Sequence, residues 1–176
     1  YHLDMTQPSY MEVLARVSAD KGTGGMNANA YIIFDYQSAT DFKFAGIATG
    51  LDKVRIGHRT EAGWVVDTQI NMRLSDDTYY DLTLVMYGTV ATIWVNESVS
   101  ASFDFGNPLN DGYVALGADN AKVNCQYWQV QKLPPAITFE YPEDFSTAGT
   151  AFDAFIGSWE TSDGTYIGTP ADDMAV

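Results

Sequence analysis

The fold is decided in the middle of the chain, by residues 80–97, where two apolar stretches flank a glycine. This segment contains Tyr80-Asp81-Leu82-Thr83-Leu84-Val85-Met86-Tyr87-Gly88 and then Ile93-Trp94-Val95-Asn96-Glu97. Large apolar side chains alternate with smaller or polar ones, which is the period of two expected of a β-strand. Because Gly88 stands between the two runs, the segment predicts a β-hairpin with strands at 80–87 and 89–95.

The same signals continue on both sides of this hairpin. Strands are predicted at 10–18, 31–36, 41–48, 54–57, 64–70, 113–117 and 122–131. Polar turns separate them, including residues 58–63 and Asn110-Asp111-Gly112, and Pro134-Pro135 ends the series. No helical period persists beyond a turn or two. Short strands at this spacing predict an all-β, two-sheet antiparallel sandwich.

The apolar side chains that alternate along these strands form the predicted sandwich core. They are Ile32, Phe34, Phe42, Phe44, Leu82, Leu84, Ile93, Val95, Val114 and Leu116. Cys125 is the single cysteine and stands inside an apolar run. It has no partner for an internal disulfide, and we expect it to be a buried small hydrophobe.

Composition limits both the domain count and the class of partner. The chain has 176 residues with 46% hydrophobic content, enough for one substantial core. It carries 9 Lys and Arg against 23 Asp and Glu, a net charge of -14. This balance argues against nucleic acid as a partner, because phosphate neutralisation needs clustered cations. It fits a surface protein or one that holds divalent cations. No apolar stretch reaches the roughly 20 residues of a membrane span, so no membrane insertion is expected.

The order of these segments carries a family resemblance. After the 80–97 hairpin come Gly112-Tyr113-Val114-Ala115-Leu116-Gly117 and the aromatic strand Cys125-Gln126-Tyr127-Trp128-Gln129-Val130. This succession resembles the concanavalin A-like, laminin G-like jelly roll. Residues 34–46 are similar to the version repeated in large secreted bacterial surface proteins of the adhesin type. The resemblance covers residues 10–133 and implies an extracellular, cell-surface repeat.

The C-terminal tail resembles the opening of another such module, although it stands last. The matching pieces are Glu143-Asp144-Phe145-Ser146 and residues 157–166, which contain Trp159, Asp163-Gly164 and Tyr166. We therefore expect a jelly-roll sandwich at 1–133, a proline-containing linker at 134–142 and the opening segment of the same type of module at 143–176.

Two kinds of packing are open to this tail. It packs on its own sandwich, as in a circular permutant, or on a neighbouring copy, which would build a head-to-tail filament. The aromatic residues proposed for this assembly are Phe145, Phe152, Phe155, Trp159 and Tyr166.

The sequence carries no signal for catalysis, whereas the family resemblance implies a metal site. No strand carries carboxylates two residues apart, the pattern of glycosidases with this fold, so we expect a protein that is not an enzyme. The family resemblance implies a calcium site at the opening segment, with Asp144, Asp163 and Gly164 as ligands. In the closing strand Gln126 replaces the usual Asp, which should weaken calcium binding. Surface solvation is an equally good explanation for these acids.

A glycan site is the other candidate. Lectin-type sites stack an aromatic ring on a sugar and bind its hydroxyls with polar side chains. The residues close enough in sequence to do so are Trp64, His58, Arg59, Asp67 and Asn71. The alternative is that Trp64 is a core residue of an alternating strand.

The sequence favours one function and leaves two others open. The favoured function is a non-catalytic structural or adhesive repeat, whose partners are copies of itself and which assembles through its tail. The alternatives are a carbohydrate-binding, lectin-like module with glycan partners and an accessory domain of a secreted glycan-active enzyme.

Overall fold

The computed structural model describes residues 9–21 and 27–131 in full, together with the backbone of two strands near the C-terminus. The chain divides into two compact units, Tyr1–Pro135 and Ala136–Val176. Within the described ranges no helix combines the length and apolarity needed to cross a membrane.

In its described residues the first unit has ten strands and one short 3-10 turn, Thr49–Leu51. The strands are β1 (Tyr10–Asp20), β2 (Ala30–Ser38), β3 (Asp41–Ala48), β4 (Lys53–Thr60), β5 (Gly63–Asn71), β6 (Tyr80–Tyr87), β7 (Val90–Val95), β8 (Val99–Asp104), β9 (Tyr113–Gly117) and β10 (Lys122–Gln131). They form two five-stranded sheets with the orders β10-β1-β6-β7-β8, here sheet I, and β5-β4-β3-β2-β9, here sheet II. All pairings are antiparallel, so the predicted two-sheet antiparallel sandwich is confirmed.

The main core lies between the two sheets. In β1 every second side chain is buried, as the alternation predicts, and β6 and β7 repeat this pattern. Of the predicted core residues, seven belong to this core: Ile32, Phe34, Leu82, Leu84, Ile93, Val95 and Val114. Leu116 packs against it but is only partly buried.

Phe42 and Phe44 are buried too, but in a second cluster that does not belong to the core between the sheets. The register explains this position. Ala45 and Ile47, which alternate with the two phenylalanines along β3, fill the main core, so Phe42 and Phe44 project from the other face of the strand. Sheet II is therefore apolar on both faces over part of its area.

Two sequence predictions are wrong in this unit, and one strand was not predicted. His58 and Arg59, placed in a turn, belong to β4, since they pair with Val65 and Trp64 and only residues 61–62 form the turn. Strand β8 is the one without a prediction, although Val99, Ala101 and Phe103 alternate there with polar residues. Cys125 is exposed. It lies on β10, an edge strand of sheet I, where burial is incomplete.

The second unit contains a β-hairpin. Its strands are β11 (Ser158–Ser162) and β12 (Thr165–Thr169), which pair antiparallel with Trp159 opposite Gly168 and Thr161 opposite Tyr166.

Candidate functional site

An aromatic patch covers the outer face of sheet II, the face turned away from the main core. We define this patch as Tyr31, Tyr36, Phe42, Phe44 and Trp64. Tyr31, Phe42 and Phe44 are buried, whereas Tyr36 and Trp64 are only partly buried. Trp64 therefore presents part of an indole ring to solvent above rings that are themselves buried.

Three rings support the Trp64 side chain. Its centroid lies 4.9 Å from that of Phe44 and 5.3 Å from that of Phe42, both in edge-to-face geometry. The ring of Tyr31 is 5.7 Å away at an interplanar angle of 37°. Such aromatic pairs contribute packing energy beyond their buried area. The indole is consequently held in one orientation.

A glycine makes room for this packing. Gly57 on β4 pairs with Phe44, and a Cβ added to it would come within 2.5 Å of the Phe44 ring and 2.0 Å of the Val65 carbonyl oxygen. No side chain other than hydrogen fits there. The strand register shifts at this point, between Ile56 and Gly57.

Polar and apolar neighbours complete the surface beside Trp64. Arg59 is its cross-strand partner on β4 and Phe42 is the next partner on β3, so the three side chains share one face of the sheet. Val66, two residues along β5, is 40% exposed. A partly exposed indole can stack on the apolar face of a sugar, and an arginine on the same sheet face can donate hydrogen bonds to hydroxyl groups.

The structure separates the five residues predicted to bind glycans. Trp64 and Arg59 are cross-strand partners on the outer face of sheet II. His58 Nδ1 and Asp67 Oδ2 form a hydrogen bond of 2.7 Å, at the position where β5 bulges against β4. Asn71, at the far end of β5, accepts a hydrogen bond from the ammonium group of Lys53.

His58 and Asp67 therefore stabilise the hairpin locally. The cross-strand partner of His58 is Lys43, which alternates with Phe42 and Phe44 along β3 and so belongs to the opposite face of sheet II.

Sequence reasoning missed Tyr31 and assigned Phe42 and Phe44 to the main core. The missed signal is strand parity. Once Ile32 and Phe34 are assigned to the core, Tyr31 and Ile33 on β2 must face outward, as must Phe42 and Phe44 beside them.

A second polar group of interest lies at the end of β2. Asp35 is buried, has a left-handed backbone (φ 47°) and forms an ion pair with Lys43. The amide of Gln37 donates to Asp35 Oδ1 at 3.3 Å and to Asp111 Oδ1 at 3.2 Å. Burial raises the pKa of Asp35, and a hydrogen bond with Asp111 raises it further, while Lys43 opposes the rise.

The predicted calcium ligands Asp144, Asp163 and Gly164 lie outside the described residues, as do Phe145, Phe152 and Phe155 of the assembly prediction. Trp159 and Tyr166 belong to β11 and β12, where only the backbone is described. Within the described part of the chain, no group of three or more His, Cys, Asp or Glu side chains is placed to hold a metal ion. The calcium and assembly predictions therefore stay predictions.

Comparison with known proteins identifies the fold. No protein-family model matches the chain, and neither does any curated protein. Among solved structures, the carbohydrate-binding module CBM66 from Bacillus subtilis is similar with a TM-score of 0.63 and 13% sequence identity, over 72% of this chain and 77% of that one. Sheep galectin-11 is similar with a TM-score of 0.57 and 11% identity, over 74% of this chain and 96% of that one.

A human galectin-16 variant is similar to the same degree, with a TM-score of 0.57 and 12% identity over 74% of this chain and 94% of that one. These neighbours are jelly-roll β-sandwiches, as the sequence predicts for this chain. Identities this low show the fold alone.

Proposed function

We propose that this protein is a non-catalytic, extracellular glycan-binding module whose binding surface is the outer face of sheet II. The observation that carries the proposal is Trp64, a partly exposed indole held by Tyr31, Phe42 and Phe44 on the same sheet face as its cross-strand partner Arg59. The fold it shares with a carbohydrate-binding module and with galectins supports the same function. The lectin-like alternative of the sequence analysis thereby becomes the favoured function.

The chemistry of the patch suits a sugar. One face of a pyranose ring presents C–H groups that can cover an indole, while its hydroxyls need donors and acceptors at the edge of the contact. The rigid support of Trp64 reduces the entropy lost on binding, because the ring is already ordered. Arg59 supplies several N–H donors from one side chain.

A glycan array tests the proposal, with Trp64→Ala as the diagnostic variant and Trp94→Ala as its matched control. Trp94 lies on sheet I and is 40% exposed, but within the described residues its ring packs on no other aromatic ring. We expect the native chain and Trp94→Ala to bind the same glycans, and Trp64→Ala to lose about tenfold or more in affinity, the effect of removing one stacking ring. Equal binding by all three chains would contradict the proposal.

A second proposed role is head-to-tail assembly of copies, as a repeat of a cell-surface protein. In the described residues β9 and β10 each pair with a strand on one side only, at the same open side of the sandwich. An apolar groove of about 460 Å³ lies between them, lined by Val114, Ala115, Leu116, Cys125 and Trp128. A strand of a second copy could pair with these edges and fill the groove.

A further inference from the structure

A second pocket opens at one end of sheet II, next to the aromatic patch. Lys21 and residues 27–29 meet the segments after β3 and β9 there, around a volume of about 270 Å³. The side chains that matter for its chemistry are Lys21, Asn27, Tyr31, Arg55 and Asp119. Small-molecule sites in proteins are concave and hold a few converging polar groups of this kind.

The walls of this pocket are fixed by hydrogen bonds between two loops. Asn29 is 4% exposed, and its amide donates to the Asp119 carbonyl at 2.8 Å while its Oδ1 accepts from the Asp119 N–H at 2.8 Å. The backbone N–H of Asn27 donates to the Asn120 carbonyl at 2.8 Å. Because these hydrogen bonds tie residues 27–29 to residues 119–120, little conformational entropy of these residues is lost on binding.

Arg55 lines the pocket from β4. Its Nε donates to Gln69 Oε1 at 3.1 Å across the β4–β5 pair, which orients the guanidinium. Burial raises the pKa of Tyr31, whereas the charge of Arg55 and a hydrogen bond from it oppose the rise and Asp119 adds to it. The Tyr31 phenol, the Arg55 guanidinium and the Asp119 carboxylate are therefore close enough for the two charges to act on the phenol.

The charge of the pocket is opposite in sign to that of the chain. The whole protein carries -14 with only 9 Lys and Arg, yet two of these, Lys21 and Arg55, line this pocket. Asp119 is the single carboxylate among its described lining residues. Asp76 lies next to this pocket, because it accepts a hydrogen bond from Thr49 between the lining residues Ala48 and Gly50. The lining itself still carries two cations against one carboxylate, which favours an acidic ligand over a basic one.

Tyr31 joins the pocket to the aromatic patch, because it lines the one and its ring packs on Trp64 in the other. We propose that the pocket is a subsite for a carboxylate-bearing sugar, a uronic acid, in the glycan that also covers Trp64; this rests on the proposed function. The planar guanidinium of Arg55 matches a carboxylate, and Lys21 adds a second cation. The Asn27 amide donates to the Asp119 carbonyl at 3.0 Å and to Asp119 Oδ2 at 3.4 Å, which positions this carboxylate to accept from the hydroxyls. The protein is accordingly a receptor for acidic oligosaccharides.

The test compares oligosaccharides that differ only in the carboxylate. Trigalacturonate, triglucuronate and trimannuronate are titrated by calorimetry into the native chain, each beside its carboxyl-reduced neutral form. We expect at least one acid form to bind about tenfold or more tightly than its neutral form, the difference of one charge-assisted hydrogen bond. Raising sodium chloride from about 0.05 M to about 0.5 M should reduce this preference.

Variants assign the preference to the pocket. Arg55→Gln and Lys21→Gln should each remove most of the preference for the acid form. Arg16→Gln is the control, because Arg16 forms an exposed ion pair with Asp81 on sheet I and its loss changes the net charge equally. Lys21 is exposed, so its variant folds even if Arg55→Gln does not.

The outcomes separate this inference from the proposed function. Trp64-dependent binding with no preference for any acid form, or a preference that both pocket variants retain, overturns the acidic subsite and leaves the glycan-binding function standing. Acid binding that depends on Arg55 and Lys21 but not on Trp64 supports the pocket and contradicts the role of the aromatic patch. If none of the six sugars binds, the acidic subsite is overturned, and the glycan array alone then decides the function.

Discussion

At the scale of single residues, the structure places a carboxyl group where its charge is unfavourable. Asp35 is a buried residue of β2. Lys43 compensates for its negative charge only in part, since the pKa of Asp35 is still raised. Its left-handed backbone is a conformation that Asp and Asn tolerate better than most residues. Asparagine is therefore the substitution that removes the charge with the least disturbance of the chain.

The raised pKa predicts a pH-dependent stability. The folded protein protonates Asp35 at a pH where the unfolded chain, with the ordinary value of 3.8, is still ionised. Stability from this group therefore grows as pH falls from neutral toward 3.8 and is lost as pH rises through the raised pKa.

The measurement is urea unfolding of the native chain and of Asp35→Asn between pH 7 and pH 4. The midpoint of the native chain minus that of the variant reports the contribution of Asp35, provided that the unfolding free energies of both chains depend equally on urea. We expect this difference to increase on acidification. A midpoint difference that stays constant or decreases on acidification would mean that the attraction of Lys43 for the Asp35 carboxylate outweighs the effect of its burial.

At the scale of elements, the aromatic patch depends on close approach between β3, β4 and β5. Gly57 lies under the Phe44 ring, where even a methyl group collides with the ring and with the backbone of Val65. Trp64 in turn packs on Phe44. The orientation of the exposed indole is consequently set by a glycine one strand away.

Gly57→Ala is expected to destabilise the fold by about 1–3 kcal/mol, the usual cost of overpacking. The control is Gly50→Ala, because the nearest atom to a Cβ at position 50 is 3.6 Å away and the substitution should be close to neutral. Urea unfolding of both variants checks this. If the two midpoints agree, the strands are not as closely packed as described.

Most of the strands were predictable from the sequence because their alternation has one buried side, as in β1 and β6. The failures have different causes. Phe42 and Phe44 are apolar on the outer face of a sheet that is buried on both sides there, so alternation could not say which face carries the core. Strand β8 does alternate, with Val99, Ala101 and Phe103 against Ser100, Ser102 and Asp104, so its pattern was available in the sequence.

The candidate site was predictable only in part, for a related reason. Trp64 and Arg59 are close in sequence, and the hairpin that joins β4 to β5 makes them neighbours in space as well. Tyr31 and Arg55 reach the site from different strands, and Asp119 from a loop. Contacts that depend on how sheet II is ordered leave no local pattern, and a single sequence does not reveal them.

At the scale of the whole molecule, the chain combines a sandwich with a second compact unit. Light scattering across a concentration series, on the intact chain and on a chain ending at Pro135, tests the proposed assembly. If copies exchange strands at the β9 and β10 edges, the intact chain forms larger species as concentration rises and the shortened chain does not. A monomer at all concentrations in both chains would contradict assembly through the tail.

Glycan binding on the outer face of sheet II is the central claim, and the indole signals in a ¹H–¹⁵N correlation spectrum test it most directly. The chain has four tryptophans, so four indole N–H signals are expected, and single Trp→Phe variants assign them. On titration with a glycan selected from the array, the account predicts that the Trp64 signal shifts in a saturable way while the Trp94 signal stays in place. A Trp94 signal that shifts while that of Trp64 does not would contradict it.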